Sequence, residues 1–270
     1  MIGRNRNAEQ RIALLEQTLP RVQSLPGVQA VGITSALPFH DNQVLTPASV
    51  KIEGRASAPG QDPTAYVINV TPEYLRALGV PLLRGRELNQ FDKADAAPVA
   101  LVNNSMAVRN WPTEDPIGKK ITFAVSGRAL TCEIVGVVGD VRPNGLDSAP
   151  RLEIYLPYAQ SPASLVTWVV RTTGDPLKEL SAIKGKIREG NPTQTFLSIA
   201  TMDHLVDRTI TQRRFNLMLL GSFAALALIL AAVGLYGLIS YTTAQRTHEK
   251  GNRGEPRCAS DRTRKVQTGV

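Results

Sequence analysis

The sequence predicts an α+β domain followed by one long helix that enters a membrane. Three observations carry this expectation. Amphipathic stripes at helical spacing lie near both ends of the body: Ile12, Leu15, Leu19 and Val22, then Leu180, Ile183 and Ile187. Between them, residues 37–160 hold short runs of β-branched residues separated by Gly, Pro, Asn and Asp, a strand-rich pattern. Residues 217–239 form 23 consecutive positions without a charge, Ser222 being the most polar. The expected body has strand–helix–strand units near residues 8–36 and 165–200 sharing one sheet, with residues 37–160 as an inserted β-rich lobe.

The elements follow in order. The first stripe makes an amphipathic helix that Pro20 should kink or shorten and that Pro26-Gly27 ends. VQAVGITSALP (28–38) reads as a strand running into a loop, and residues 39–65 as loop around one short strand, ASVKIEG. YVINVTPEYLRALGVPLLRGREL (66–88) is a strand and then a short helix, with Thr71 as N-cap, Pro72 at the first helical position and Gly79 as the stop. APVALVNNSMAVRNW (97–111) repeats strand to helix. KKITF (119–123) and LTCEIVGVVGDV (130–141) read as a hairpin pair leading to a turn at Asn144-Gly145, and LEIYLPY (152–158) as another strand. Residues 165–202 read as strand, helix and strand, the helix opened by Asp175-Pro176 and closed by Gly190-Asn191-Pro192. Met202, Leu205, Val206 and Ile210 continue at helical spacing toward the apolar run, so a stalk capped at Thr201 should extend into it as one helix past Tyr241.

The apolar run is the strongest signal. At ~1.5 Å per residue it spans about 34 Å, enough for a hydrocarbon core of ~30 Å with some tilt. It is apolar on all sides, whereas a helix of a soluble domain carries one apolar stripe. Tyr236 and Tyr241 stand near its end, where interface aromatics belong. Gly221, Gly234 and Gly237 are small positions of the kind that admit a second helix, and also ordinary for a membrane helix. Arg208, Arg213 and Arg214 precede the run; Arg246, Lys250, Arg253 and Arg257 follow it closely, which favours a cytoplasmic C-terminus. Residues 1–210 would then lie outside the cytoplasm, yet residues 1–22 have no apolar core of a signal peptide.

Composition excludes several classes. Half of the net charge of +8 sits in the last 21 residues, and the body has no basic stripe interleaved with aromatics, which argues against nucleic acid as a partner. Cys132 and Cys258 lie on opposite sides of the apolar run and form no disulfide framework. PIGKKI (116–121) fails the phosphate-loop pattern at Thr113 and Lys120, and GVVGDVRPNG (136–145) opens no helix, so neither cradles a phosphate. His40, His204 and His248 are far apart, Cys132 has no CxxC partner, and Asp140 and Asp147 flank a turn where Asp is routine. No catalytic, cofactor-binding or metal-binding residue is expected.

VTPEYLRALGVPLLRGREL (70–88), VALVNNSMAVRNWPTEDPIGKKI (99–121), VGVVGDVRPNGLD (135–147) and YLPYAQ (155–160) resemble the extracytoplasmic core domain of MacB/FtsX-like ABC-transporter permeases, most closely the duplicated permeases abundant in acidobacteria. RRFNLMLLGSFAALALILAAVGLYGLISYTTAQRTHE (213–249) is similar to the membrane helix that follows that domain. The resemblance covers roughly residues 10–249. It implies a porter-like domain on the outer side of the bacterial inner membrane, dimerisation with a second permease copy, contact with membrane lipid, and work with a separate cytoplasmic ATPase that drives a mechanical change. It implies no catalytic residue and no cofactor. The corresponding division is residues 1–200 as the core domain with its lobe at 37–160, 201–216 as stalk, 217–241 as membrane helix and 242–270 as a polar tail.

Against that family the sequence starts inside the outer domain, and KGNRGEPRCASDRTRKVQTGV (250–270) replaces the expected Ile-Gly-Ile-Arg and Ala-Leu-Gly-Ala segment. A chain truncated at both ends is therefore expected, one that is no working permease by itself and whose body stays cytoplasmic on its anchor. The alternatives are a membrane-tethered sensor or binding domain without transport, and a tail-anchored enzyme, which the missing site disfavours.

Overall fold

The computed structural model describes residues 7–38, 45–55, 58, 60–125, 127–142, 149–191, 196–207 and 218–235. The chain divides into two units, residues 1–210 and 211–270.

The first unit opens with α1 (Ala8–Gln23), then β1 (Val28–Thr34), β2 (Thr46–Ile52), β3 (Thr64–Val70), α2 (Tyr74–Leu78) and β4 (Leu82–Gly85). β5 (Val99–Asn103), α3 (Asn104–Asn110), β6 (Lys120–Val125), β7 (Arg128–Val138), β8 (Glu153–Pro157), β9 (Thr167–Thr172) and α4 (Pro176–Gly190) complete it. The nine strands of the described residues belong to one sheet. Six of them close on themselves. β2 pairs with β6, β6 with β7, β7 with β5, β5 with β8 and β8 with β3, and β3 returns to β2. β5–β7 and β3–β8 are parallel and the rest antiparallel. Successive side chains of a strand point to opposite faces, so alternate residues fill the ring: Val50 and Ile52, Ala100 and Val102, Ile121 and Phe123, Cys132 and Ile134, Ile154 and Leu156, all buried in one cluster. Met106, Ala107 and Trp111 of α3 and the residue after it join the same cluster.

The opposite faces of these strands build a second core. Leu101, Val135, Ile68, Val70 and Tyr155 meet Tyr74 and Leu75 of α2. Here Gly32 of β1 is a packing requirement: a Cβ there would run into the Tyr74 backbone. β1 extends the sheet from β3, with Thr34 opposite Val70, and β9 pairs antiparallel with β1 from Val28–Thr172 to Thr34–Thr167. α1 and α4 cover this extension, burying Val22, Val31, Ile183 and Ile187 together.

Three sequence expectations change. α1 runs through Pro20 to Gln23 without being shortened by it: Ser24 N–H closes onto the Pro20 carbonyl and Val22 is buried beneath the turn. α2 starts at Tyr74, not after Thr71: the Thr71 hydroxyl accepts the Ile33 N–H at 2.8 Å, tying β3 to β1 instead of capping a helix. Gly79 ends α2 in the left-handed region, φ +81°. Residues 196–201, expected to be a strand, have no strand pairing among the described residues. Asp175 and Pro176 open α4, with Asp175 accepting the Leu177 N–H. Thr201 Oγ1 accepts the His204 N–H ahead of helical residues 202–207. The rest of the expected stalk, the turn at Asn144-Gly145 and the tail lie outside the described residues.

Candidate functional site

In the second unit residues 218–235 form an 18-residue helix with a mean hydropathy of 2.4, none of it buried. The sequence explains it: Leu, Ala, Ile, Val and Phe on all sides with no charge. Its one hydroxyl is satisfied internally, Ser222 Oγ donating to the Leu219 carbonyl at 2.7 Å. Every backbone polar group of a helix interior is paired within the helix, which lets it cross hydrocarbon, and only a non-aqueous surround removes its exposed apolar surface. A Cβ at Gly221 or Gly234 would meet nothing within 4 Å among the described residues. Tyr236, Gly237, Tyr241 and the flanking arginines fall outside the described residues.

The first unit holds one dense polar cluster, at the seam where β5, β7 and β8 meet. Asn103, fully buried at the end of β5, accepts the Met106 and Glu153 N–H groups through Oδ1. Its amide nitrogen donates to Asp140 Oδ1 at 2.6 Å and to the Arg151 carbonyl at 2.7 Å. Asp140 also accepts the Ser105 N–H at 2.8 Å and the Ser105 hydroxyl at 2.9 Å. The carboxylate is thus held at the start of α3 by three donors, a lock rather than a nucleophile. Sequence reasoning saw Asp140 only as a turn residue and missed its partners; Asp147 is outside the described residues, so the two are not brought together here.

Glu153 is 5 % exposed and accepts a short hydrogen bond from the Tyr155 hydroxyl. Burial pushes its carboxyl up to about 7, against the Tyr155 bond and the charge of Arg151. Burial likewise raises Tyr74 and Tyr155. These three side chains line a cavity of about 20 Å³, room for one water. Among the described residues the cluster holds a carboxyl able to take up a proton near neutrality.

The other singled-out residues are scattered. Gly118 of PIGKKI makes a turn at φ +78°, its N–H donating to Ile134, while Lys119 pairs with Glu114 at 2.9 Å. GVVGDV completes β7. Cys132 points into the ring, where burial raises its thiol to about 12. His204 lies exposed in the turn after Thr201; His40, His248 and Cys258 are outside the described residues. Among the described residues no three His, Cys, Asp or Glu side chains are placed to share a metal ion.

Comparison with known proteins decides the family. Residues 5–196 match the MacB-like periplasmic core domain. The chain belongs to that family. Among curated relatives, the probable syringafactin export ATP-binding/permease protein SyfD of Pseudomonas syringae is 24 % identical over 201 residues, covering 71 % of this chain and 30 % of SyfD. The macrolide export ATP-binding/permease protein MacB of Mannheimia succiniciproducens is 24 % identical over 191 residues, covering 67 % and 28 %. The chain thus spans about three tenths of the length of the curated relatives it matches. Among solved structures, the periplasmic region of MacB from Actinobacillus actinomycetemcomitans aligns with a TM-score of 0.44 at 15 % identity, over 64 % of this chain and 72 % of that one. The extracellular domain of the ABC-type transporter YknZ aligns at 0.43 and 14 %, over 66 % and 84 %.

Proposed function

We propose that this MacB-family chain is a membrane permease component of an ABC-type export or mechanotransmission system. Residues 1–200 act as the outer domain of that system and 37–160 as its lobe; residues 201–216 form a stalk, 217–241 the membrane helix and 242–270 a cytoplasmic tail. The outer domain lies beyond the inner membrane and a separate ATPase supplies the energy, with a second permease copy and membrane lipid as its other contacts. One observation carries this proposal: a MacB-like core domain is followed in the same chain by an 18-residue helix of mean hydropathy 2.4. The polar cluster fits a mechanical role, because its donors and acceptors are spent on holding strands in place. A part that transmits movement needs a stiff body and a stiff link, not a reactive group.

The test uses the chain in a working assembly. In a restored full-length permease co-expressed with an ABC-type ATP-binding subunit, the permease should co-purify with that subunit and alter its rate of ATP hydrolysis. In that restored permease Thr209→Pro should uncouple ATP hydrolysis from transport, since proline costs ~3 kcal/mol in a helix interior. Phe91 is 73 % exposed, so Phe91→Cys should label with a membrane-impermeant maleimide in intact cells while Cys258 labels only after permeabilisation. Loss of co-purification, or a label at Cys258 alone, contradicts the proposal.

A further inference from the structure

The backbone leading into β8 is pinned from both sides. The Leu152 carbonyl accepts the Tyr66 N–H of β3 at 2.8 Å. On the other side Asn103 of β5 donates to the Arg151 carbonyl at 2.7 Å and accepts the Glu153 N–H at 3.0 Å. Residues 151–153 are thus fixed in place, and only their side chains are left to move.

Residues two apart in extended chain share a face, at ~3.3 Å per residue, which sets Arg151, Glu153 and Tyr155 in one row. Tyr66 stands opposite Glu153 in the parallel β3–β8 register, and Ile68 opposite Tyr155. Arg151 is half-buried, and its guanidinium lies 5.2 Å from the centre of the Tyr66 ring. Glu153 is buried, and among the described residues no cation lies within ion-pairing distance of it. Its side-chain partner is the Tyr155 hydroxyl. A buried carboxyl next to a guanidinium that is engaged elsewhere is a pair with two arrangements.

We propose that Arg151 and Glu153 form a proton-operated clamp between β8 and β3. With the carboxyl protonated, Arg151 lies on Tyr66 and bridges the two strands. When the carboxyl loses its proton to solvent, the guanidinium leaves the ring and pairs with the carboxylate. The direction follows from the strength of the two holds. A cation on the face of a half-exposed ring is weakly held, whereas an unpaired carboxylate in a buried site is costly and draws a cation to it. Burial raises the Glu153 carboxyl to about 7; the Tyr155 hydroxyl and Arg151 act against this and Asp140 adds to it. Among the other ionisable groups on this face, Tyr74 of α2 and Tyr155 of β8 are raised by burial and stay neutral through that range. Asp140, beyond β7, is held by Asn103 and Ser105. β5 brings only the Asn103 amide, and β3 brings Tyr66 itself. The cavity of about 20 Å³ against Tyr74, Glu153 and Tyr155 has room for one water beside the carboxyl. β3–β8 is one of the parallel pairs that close the ring, so the clamp joins them on the acid side of neutrality and releases them above it. All of these groups lie in the first unit, and the clamp stands or falls without the transport reading.

Infrared difference spectroscopy on the full 270-residue chain in detergent, from about pH 5 to about pH 9, reads the proton. The carbonyl stretch of a protonated carboxylic acid should persist above the ordinary carboxylate range, vanish with a midpoint near 7 and be absent in Glu153→Gln. Arg151→Met removes the cation that favours the charged form and should move the midpoint up by about one pH unit. Arginine isotope-labelled at the guanidinium reads the movement by NMR. The Arg151 resonance, recognised by its loss in Arg151→Met, should carry the ring shift of Tyr66 at acid pH and lose it with the same midpoint. In Glu153→Gln it should keep that shift at every pH. A carboxyl band already gone by about pH 5, or one that survives in Glu153→Gln, would overturn the clamp. So would a midpoint unmoved or lowered in Arg151→Met, or an Arg151 resonance indifferent to the titration.

Discussion

The closed ring of β2, β6, β7, β5, β8 and β3 and the β1–β9 extension share one sheet but treat their backbone edges differently. In the ring each strand has a neighbour on both sides, and closure removes edges altogether. In the extension β9 is partnered on one side only among the described residues, and its side chains are mostly half-buried. The ring buries alternate residues almost completely, as with Ile134, Ile154 and Leu156, whereas most of β9 stays half-buried. Closure leaves the ring strands without a free edge, whereas β9 keeps one among the described residues.

Paired truncations should break this comparison first if it is wrong. Ile134→Ala opens a cavity in the ring and should cost about 3–4 kcal/mol, against about 1 kcal/mol for Val170→Ala in β9. Denaturant unfolding of the full chain, followed through the buried Trp111, measures both; equal losses would erase the contrast. Asn103→Ala comes next. It strips four hydrogen bonds from the seam of β5, β7 and β8 and should cost about 3 kcal/mol, since buried groups are left unpaired. The same unfolding measurement checks it.

The pH dependence sharpens the ring's side of the contrast. Glu153 has its carboxyl raised to about 7, so between its ordinary value and 7 the folded chain holds a proton that the unfolded chain has lost. Its stabilising contribution is complete below the ordinary carboxylate value and disappears as pH rises through 7, a loss of up to about 3 kcal/mol. Glu153→Gln should flatten that decline between pH 5 and pH 8 in unfolding curves. Asp92 acts in the opposite sense. Burial would raise it, but two hydrogen bonds from Arg86 and one from the Asn89 N–H hold it below the usual carboxylate range. Its contribution is therefore lost as pH falls. Arg86 is 45 % exposed, so solvent screening limits Arg86→Ala to about 1 kcal/mol, the smallest effect in this series.

Much of this was legible in the sequence where local chemistry decides. The apolar run announced the helix at residues 218–235, long and apolar enough to cross a membrane. Asp175-Pro176 marked the start of α4, and the β-branched runs at β5, β7 and β8 marked strands. Closure of the ring was not legible, because the parallel pairs β3–β8 and β5–β7 and the return of β2 to β3 join segments with no local signature. Asp140 looked like a turn residue because its partners Asn103 and Ser105 stand 37 and 35 positions earlier. VTWVV (166–170) reads as a strand, and most of it lies in β9. That it lies at an edge depends on where residues 196–201 run, which no local pattern specifies.

Hydrogen exchange on the full chain tests the contrast between ring and edge most directly. Amides of β5 and β8 should exchange only through global unfolding, while unpaired amides of β9 and those of residues 196–200 should exchange at least a hundredfold faster through local opening. Equal protection of β9 and the ring strands would contradict the account, because it would mean that the outer edge of β9 is already paired.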